Sequence, residues 1–148
     1  MAQSPANIVK SILIVDDHAL FREGLRMILE KDKRYVVIGE AGTAQEALRL
    51  VEKILPDLIL MDISLPDVNG FQATRIIKKK YPQTQVVIVS MHSGTGYIEE
   101  ALDSGASGYV LKESAFQRLL EGLEHVSRGE TFIDSSITSA SVCASAHI

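Results

Sequence analysis

Five short apolar runs, each followed by a segment with helical periodicity, constrain the fold of this chain most strongly. The runs are rich in Ile, Val and Leu, and apolar and polar residues hardly alternate within them. This pattern is typical of strands that are covered on both faces, as in parallel sheets. We therefore predict strands at residues 12–15, 35–38, 58–61, 86–89 and 109–111.

The segments between the runs predict five helices. Thr43 and Glu46 form a capping-box sequence before the second helix, and Ser114 and Gln117 form another before the fifth. Proline or glycine ends four of the helices, at Pro56, Pro82, Gly105 and Gly129. Strands that alternate with helices over short connections predict an α/β fold with a doubly wound parallel sheet.

Length and charge narrow the class of protein further. A chain of 148 residues fits a single domain, and its longest apolar runs have four residues, too few to cross a membrane. The net charge is −4, and the densest basic run, Lys78 to Lys80, is typical of the solvated end of a helix, so we expect no direct nucleic-acid binding by this chain. The first ten residues lack a signal-peptide pattern, and Cys143 is the sole cysteine, so we expect a cytoplasmic location.

Polar side chains follow four of the five runs directly. Asp16 and Asp17 come after the first run, Asp62 after the third, Ser90 after the fourth and Lys112 after the fifth. In an open parallel sheet, ligands bind beyond the carboxyl ends of the strands. We therefore expect three carboxylates, a hydroxyl and an ammonium group to meet at one edge of the sheet.

Such a cluster favours a bound cation. Two carboxylates about 4 Å apart repel by roughly 1 kcal/mol in water and by about 4 kcal/mol at an effective dielectric constant of 20. Hard oxygen ligands suit Mg²⁺, and Mg²⁺ neutralises phosphate oxygens during phosphoryl transfer. Lys112 would add a second positive charge, and one of the aspartates could act as a nucleophile that forms an acyl phosphate.

These residues resemble the receiver domain of two-component response regulators. The resemblance rests on the Asp16-Asp17 pair with Asp62, Ser90 and Lys112, and it extends over roughly residues 10–130. The stretches at residues 60–70 and 105–112 are most similar to the NarL/FixJ subgroup, whose members normally carry a LuxR-type helix-turn-helix domain after the receiver. The resemblance implies a flavodoxin-like, five-stranded sheet in the order 2-1-3-4-5 with five helices.

The resemblance also implies a role for each acidic residue. Asp62 would be the phosphoacceptor, which takes a phosphoryl group from a sensor histidine kinase. Asp17 and the backbone carbonyl of Ser64 would join Asp62 in the inner coordination shell of Mg²⁺, and Asp16 would reach the ion through water. The chain would thus be a phosphorylation switch that catalyses only its own phosphoryl transfer and dephosphorylation.

Three further residues would respond to the phosphoryl group. Lys112 would pair with the phosphoryl oxygens, the hydroxyl of Ser90 would move to bind the new phosphate, and Tyr109 would swing inward as that hydroxyl moves. Ser64 and His92, each two residues after a predicted site residue, would tune the lifetime of the phosphate.

The same resemblance predicts the domain organisation and the partners. Residues 1–9 would be an N-terminal extension, residues 10–130 the receiver domain, and residues 131–148 a linker remnant or tail. The tail is too short for a helix-turn-helix output domain, so we expect that domain to be missing from this chain. Phosphorylation would strengthen a homodimer, through either the first and fifth helices or the fourth helix, fifth strand and fifth helix, or free an output domain.

Several alternatives stay open at this level. Asp17 could simply cap the first helix, and Tyr109 could serve core packing as well as switching. A phosphatase of the haloacid dehalogenase type also uses an aspartyl phosphate, but Ser64 stands where its D-x-D motif needs a carboxylate. A flavin or nucleotide binder needs a phosphate cradle after the first strand, where this chain has Asp16 and Asp17. A receiver fold used only for protein interaction would not need the acidic cluster.

Overall fold

A computed structural model describes residues 8–134 of the chain. Five α-helices alternate with the strands of one sheet. The strands are β1 (Lys10–Val15), β2 (Tyr35–Ala41), β3 (Leu58–Met61), β4 (Gln85–Ser90), β5 (Gly108–Leu111) and β6 (Phe132–Ile133). The helices are α1 (Ala19–Glu30), α2 (Ala44–Ile54), α3 (Gly70–Lys80), α4 (Thr95–Asp103) and α5 (Ala115–Ser127), and a short 3-10 helix, Lys112–Ser114, precedes α5.

All pairs of neighbouring strands in the sheet are parallel, and the order is β2-β1-β3-β4-β5-β6. The five predicted strands and five helices are present, but the prediction of a five-stranded sheet is wrong because it omits β6. This strand has only two residues, so it carries no periodicity that a sequence pattern could reveal. It pairs with β5 at the edge of the sheet, where Phe132 lies opposite Gly108.

Buried apolar residues fill both faces of the sheet, which explains the continuous apolar runs. In β1, Ile12 and Ile14 pack towards α1 and α5, whereas Leu13 and Val15 pack towards α2, α3 and α4. Strand β2 departs from this rule because it lies at an edge, and Val36 is 44% exposed there. The central strands therefore hold the polar residues at their carboxyl ends in a rigid frame.

One of the two predicted capping boxes is absent. The side chain of Thr43 accepts a hydrogen bond from the backbone N–H of Glu46 at 3.1 Å, as predicted for α2. The side chain of Ser114 makes no capping hydrogen bond to α5, although Ser114 occupies the N-cap position. Its hydroxyl donates instead to the carboxylate of Asp134, a residue beyond β6.

The predicted division of the chain stays a prediction. The edge strand β6 lies inside the segment predicted as a tail, and residues 1–7 and 135–148, with Cys143, lie outside the described residues. Between residues 8 and 134, every helix is too short or too polar to cross a lipid bilayer.

Candidate functional site

The predicted acidic residues meet at the carboxyl edge of the sheet. Strands β1 and β3 are parallel neighbours, with Val15 opposite Met61, so Asp16 and Asp62 leave the sheet side by side. Both are buried, at 2% and 3% exposure. One carboxylate oxygen from each of Asp16, Asp17 and Asp62 lies within 4.8 Å of the others.

Lys112 joins this cluster from the end of β5. Its Nζ lies 2.7 Å from a carboxylate oxygen of Asp16 and 3.3 Å from one of Asp62, and it stands 4.8 Å from the centre of the Phe21 ring. Burial works against the ammonium charge, but the hydrogen bond to Asp16 and the charge of Asp62 outweigh it and raise the pKa of Lys112. Lys112 therefore stays protonated at neutral pH and holds the two carboxylates together.

The surroundings of Asp62 disfavour its ionised form. Burial raises the pKa of Asp62, and the neighbouring charge of Asp16 raises it further, while Lys112 and the backbone N–H of Ser64 partly oppose the shift. The hydrogen bonds from Lys112 and from the Ser64 N–H are both long, at 3.3 Å. A further positive charge beside Asp62 would therefore stabilise its ionised form.

The donor set fits Mg²⁺. Asp16, Asp17 and Asp62 supply hard oxygen donors, and the side chain of Asp17 is 36% exposed, which leaves room for the water ligands that Mg²⁺ retains. The capping alternative for Asp17 is wrong, because His18 occupies the N-cap position of α1. The predicted contribution of the Ser64 carbonyl stays a prediction.

The predicted switch residues Ser90 and Tyr109 lie on the neighbouring strands β4 and β5 and share one backbone partner. Ser90 is buried at the end of β4, and its Oγ accepts a hydrogen bond from the backbone N–H of His92 at 3.0 Å. Tyr109 is buried and donates its hydroxyl to the backbone carbonyl of His92 at 2.6 Å. The His92 ring stacks on Tyr97 with the centroids 4.3 Å apart. Tyr109 thus already points inward in this structure, in contact with both the core and the β4–α4 loop.

Gly70 holds the loop that follows Asp62 close to the sheet. The N–H of Gly70 donates to the carbonyl of Ile63 at 2.9 Å. A Cβ atom at position 70 would lie 2.1 Å from the carbonyl oxygen of Asp62, far inside a van der Waals contact. Only glycine allows α3 to begin this close to the backbone of Asp62.

Asp67 fixes the same loop to α2. Its two carboxylate oxygens accept hydrogen bonds from the backbone N–H groups of Ala44 and Gln45, both at 2.9 Å. These bonds, the Ala44 bond first, lower the pKa of Asp67. Asp67 therefore satisfies N–H groups at the start of α2 that have no partner within the helix.

Two residues near the cluster were not predicted from the sequence. The ring Nδ1 of His18 lies 3.1 Å from carboxylate oxygens of both Asp16 and Asp17. Arg22 donates to the backbone carbonyl of Asp16, and its Nε donates to Glu40 at 2.8 Å. The position of His18 directly after the Asp pair could have indicated its place; nothing in the sequence ties Arg22 to Asp16.

The fold and these residues define a signalling receiver domain, and comparisons with known proteins agree. Residues 12–124 match the family described as "Response regulator receiver domain". The transcriptional regulatory protein DegU of Brevibacillus brevis is 42% identical over 127 residues, which cover 86% of this chain and 54% of DegU. The chain thus spans about half the length of that relative.

Solved structures show the same similarity. A LuxR-family two-component response regulator from Aurantimonas sp. SI85-9A1 superimposes with a TM-score of 0.85 at 36% identity, over 88% of this chain and 94% of that one. The receiver domain of the putative response regulator NarL from Mycobacterium tuberculosis gives a TM-score of 0.78 at 30% identity, over 83% and 99% of the two chains.

The chain belongs to the response regulator receiver domain family, and its relatives are transcriptional regulators of the NarL/LuxR type. This assignment decides against the phosphatase and flavin-binding alternatives. Receiver domains are signalling modules that bind Mg²⁺ in an acidic pocket, and the Asp16, Asp17 and Asp62 cluster has the composition of such a pocket.

Proposed function

We propose that Asp62 accepts a phosphoryl group from a sensor histidine kinase in a reaction that depends on Mg²⁺. The environment of Asp62 carries this proposal: the carboxylate is buried, its pKa is raised, its two hydrogen bonds are long, and the Lys112 ammonium lies 3.3 Å away. Asp17, Asp62 and the backbone carbonyl of Ser64 would hold the ion directly, and Asp16 would hold it through water.

The chemistry is a simple displacement at phosphorus. A carboxylate oxygen of Asp62 forms the new P–O bond while the P–N bond of the kinase phosphohistidine breaks, and the electron pair leaves with the imidazole. Mg²⁺ held by the acidic cluster would neutralise charge on the phosphoryl oxygens. Lys112, which is held by Asp16 and Asp62, turns its ammonium group to the incoming oxygens and adds a second positive charge to that of the ion.

The response to phosphorylation starts at Ser90. Its hydroxyl leaves the N–H of His92 to bind a phosphate oxygen, and this frees the β4–α4 loop, to which Tyr109 is also bonded. Ser64 and His92 would tune the lifetime of the phosphate. Apart from its own phosphorylation and dephosphorylation, the chain would catalyse nothing.

The wider setting is part of the same proposal. We place the chain in the cytoplasm, as a homodimer whose dimer contact or output domain responds to phosphorylation. DegU is a transcriptional regulatory protein and the Aurantimonas protein is a LuxR-family response regulator, and this supports a helix-turn-helix output domain linked to the receiver domain. DNA binding would belong to that domain and not to this chain.

Phosphorylation by acetyl phosphate tests the central step. With Mg²⁺ present, we expect the wild-type chain to gain one phosphoryl group and Asp62→Asn to gain none, as measured by intact-protein mass spectrometry. Asp103→Asn is the control, since the Asp103 side chain is 79% exposed and lies on α4. Equal labelling of wild type and Asp62→Asn would contradict the proposal, as would full labelling of the wild type when EDTA removes Mg²⁺ before acetyl phosphate is added.

A further inference from the structure

The sixth strand brings a buried carboxylate to the turn that carries Lys112. Asp134 directly follows β6 and is fully buried. Its backbone N–H donates to the carbonyl of Tyr109 at 2.9 Å and extends the pairing between β5 and β6 by one bond. Its Oδ2 accepts hydrogen bonds from the backbone N–H of Leu111, at 3.2 Å, and from the hydroxyl of Ser114.

The two groups that Asp134 binds lie on either side of Lys112. Leu111 is the residue before Lys112, and Ser114 ends the 3-10 helix that Lys112 begins. The hydroxyl of Ser114 also lies 3.3 Å from the carbonyl oxygen of Leu111. One carboxylate oxygen therefore ties together both ends of a four-residue turn, while the Lys112 side chain points away from it to Asp16 and Asp62.

A buried carboxyl group is costly unless hydrogen bonds satisfy its oxygens. The hydroxyl of Ser114 makes such a bond at the expense of a capping bond to α5. These bonds restrain the backbone of Lys112 at both ends. Restraint of this kind matters most for a long, flexible side chain that has to place one charged atom accurately.

We propose that Asp134 is a positioning residue for Lys112, and that through it the docking of β6 and the binding of a phosphoryl group support each other. The inference rests on the role of Lys112 given under the proposed function. Coupling is reciprocal: if docked β6 improves phosphoryl binding at Lys112, phosphoryl binding strengthens the docking of β6 by the same factor. The C-terminal segment would thereby sense the state of Asp62 without a contact to it.

Beryllofluoride with Mg²⁺ is the probe, and ¹⁹F NMR measures how tightly it binds. We expect Asp134→Ala to weaken beryllofluoride binding about tenfold, the lower end for loss of a group that orients a ligand. Mg²⁺ affinity in the absence of beryllofluoride should not fall, because Lys112 is not a ligand of the ion and its charge competes with the ion for Asp16 and Asp62. Asp134→Asn keeps an acceptor oxygen in the same place and should restore most of the affinity.

A double variant separates positioning from general stability. In a Lys112→Ala background, Asp134→Ala should cause no further loss of beryllofluoride affinity, because its effect passes through Lys112. Ser114→Ala should cause a smaller loss than Asp134→Ala in the wild-type background. The inference would be overturned if the losses of beryllofluoride affinity in Lys112→Ala and Asp134→Ala added fully in the double variant. An unchanged beryllofluoride affinity in Asp134→Ala would overturn it as well.

Hydrogen exchange at β6 tests the reciprocal effect. The amide of Asp134, bonded to Tyr109, should exchange about tenfold more slowly once Mg²⁺ and beryllofluoride are bound, and this slowing should vanish in Lys112→Ala. Failure of the wild-type chain to bind beryllofluoride would overturn the proposed function itself. Normal binding with no change in exchange would leave that function intact and overturn only the coupling.

Discussion

Two aspartates of the loop between β3 and α3, Asp62 and Asp67, have opposite electrostatic environments. Asp62 is buried beside Asp16, and burial and that neighbouring charge raise its pKa. Asp67 is five residues further on and accepts two backbone N–H bonds from the first turn of α2, which lower its pKa. One loop thus holds a carboxylate that the fold destabilises and another that the fold stabilises.

The difference identifies which carboxylate is available for chemistry. Hydrogen bonds from the N-terminus of α2 already favour the charged form of Asp67. A metal ion or a phosphoryl group would therefore stabilise this carboxylate little further. Asp62 has long hydrogen bonds and a like charge nearby, so a cation or a covalent bond to phosphorus relieves it. Functional sites often violate the rules of local stability in this way, and the neighbouring structure compensates.

Asp62 stays in its unfavourable environment only if the loop between β3 and α3 cannot relax. Gly70→Ala should displace this loop. We expect this variant to lose about 2–3 kcal/mol of unfolding free energy, because a Cβ would lie 2.1 Å from the carbonyl oxygen of Asp62 and one backbone would have to move. Urea denaturation measures the loss. Labelling by acetyl phosphate should fall as well, since the backbone of Asp62 has to shift.

Gly96→Ala is the matched control for this substitution. Gly96 lies in α4, and a Cβ there would have no neighbour within 4 Å, so alanine should stabilise the chain by up to about 1 kcal/mol. Similar losses in both variants would show that the contact with Asp62 is unimportant.

Much of the fold could be predicted because the sequence pattern reports burial directly. The central strands are buried on both faces, so their apolar runs stand out, and proline or glycine marks the helix ends. The edge strand β6 gave no such signal, since it has two residues and only Phe132 is well buried. Short edge pairing depends on the neighbouring strand β5, which a local pattern cannot reveal.

The site could be predicted to a similar extent, for a related reason. Residues directly after a central strand have to meet at the carboxyl edge, and Asp16, Asp62 and Lys112 do so. Ser114 shows the limit: its capping-box pattern was misleading because Asp134, 20 residues away, takes its hydroxyl. Hydrogen bonds between distant residues follow from packing, and packing is not visible in a local pattern.

Asp67→Ala removes the stabilised member of the pair. We expect a lower midpoint of thermal unfolding, with a smaller effect than Gly70→Ala, because two N–H groups at the start of α2 lose their acceptor. Hydrogen exchange at Ala44 should speed up. Asp67→Asn, which keeps one acceptor oxygen, should lie between the variant and the wild type; an unchanged midpoint in Asp67→Ala would show that the loop is held elsewhere.

Asp62→Asn removes the destabilised carboxylate and should therefore raise the stability of the fold, whereas Asp67→Ala lowers it. In metal-free buffer at neutral pH, we expect this variant to unfold at a higher temperature than the wild type, because a neutral amide avoids the burial penalty and the repulsion from Asp16. Differential scanning calorimetry measures the shift. Saturating Mg²⁺ should reduce or reverse it, since Asp62 would then be paired with the ion, and a lower midpoint without metal would contradict the comparison.

The smallest expected effect is the pH dependence of two stability differences, that of Asp62→Asn from the wild type and that of Asp67→Asn from the wild type. This pH dependence is also the most direct test. The folded pKa of Asp62 lies above its unfolded value, so its ionisation destabilises the fold as the pH rises through that raised pKa. The folded pKa of Asp67 lies below its unfolded value, so its contribution is present above the unfolded pKa and is lost as the pH falls through the lowered one. In metal-free urea titrations, Asp62→Asn should have a higher free energy of unfolding than the wild type, and this difference should shrink on acidification. Asp67→Asn should have a lower free energy of unfolding than the wild type, and this difference should begin to shrink only at a lower pH. If both differences disappeared over the same pH range, the two carboxylates would be electrostatically alike and the distinction between them would fail.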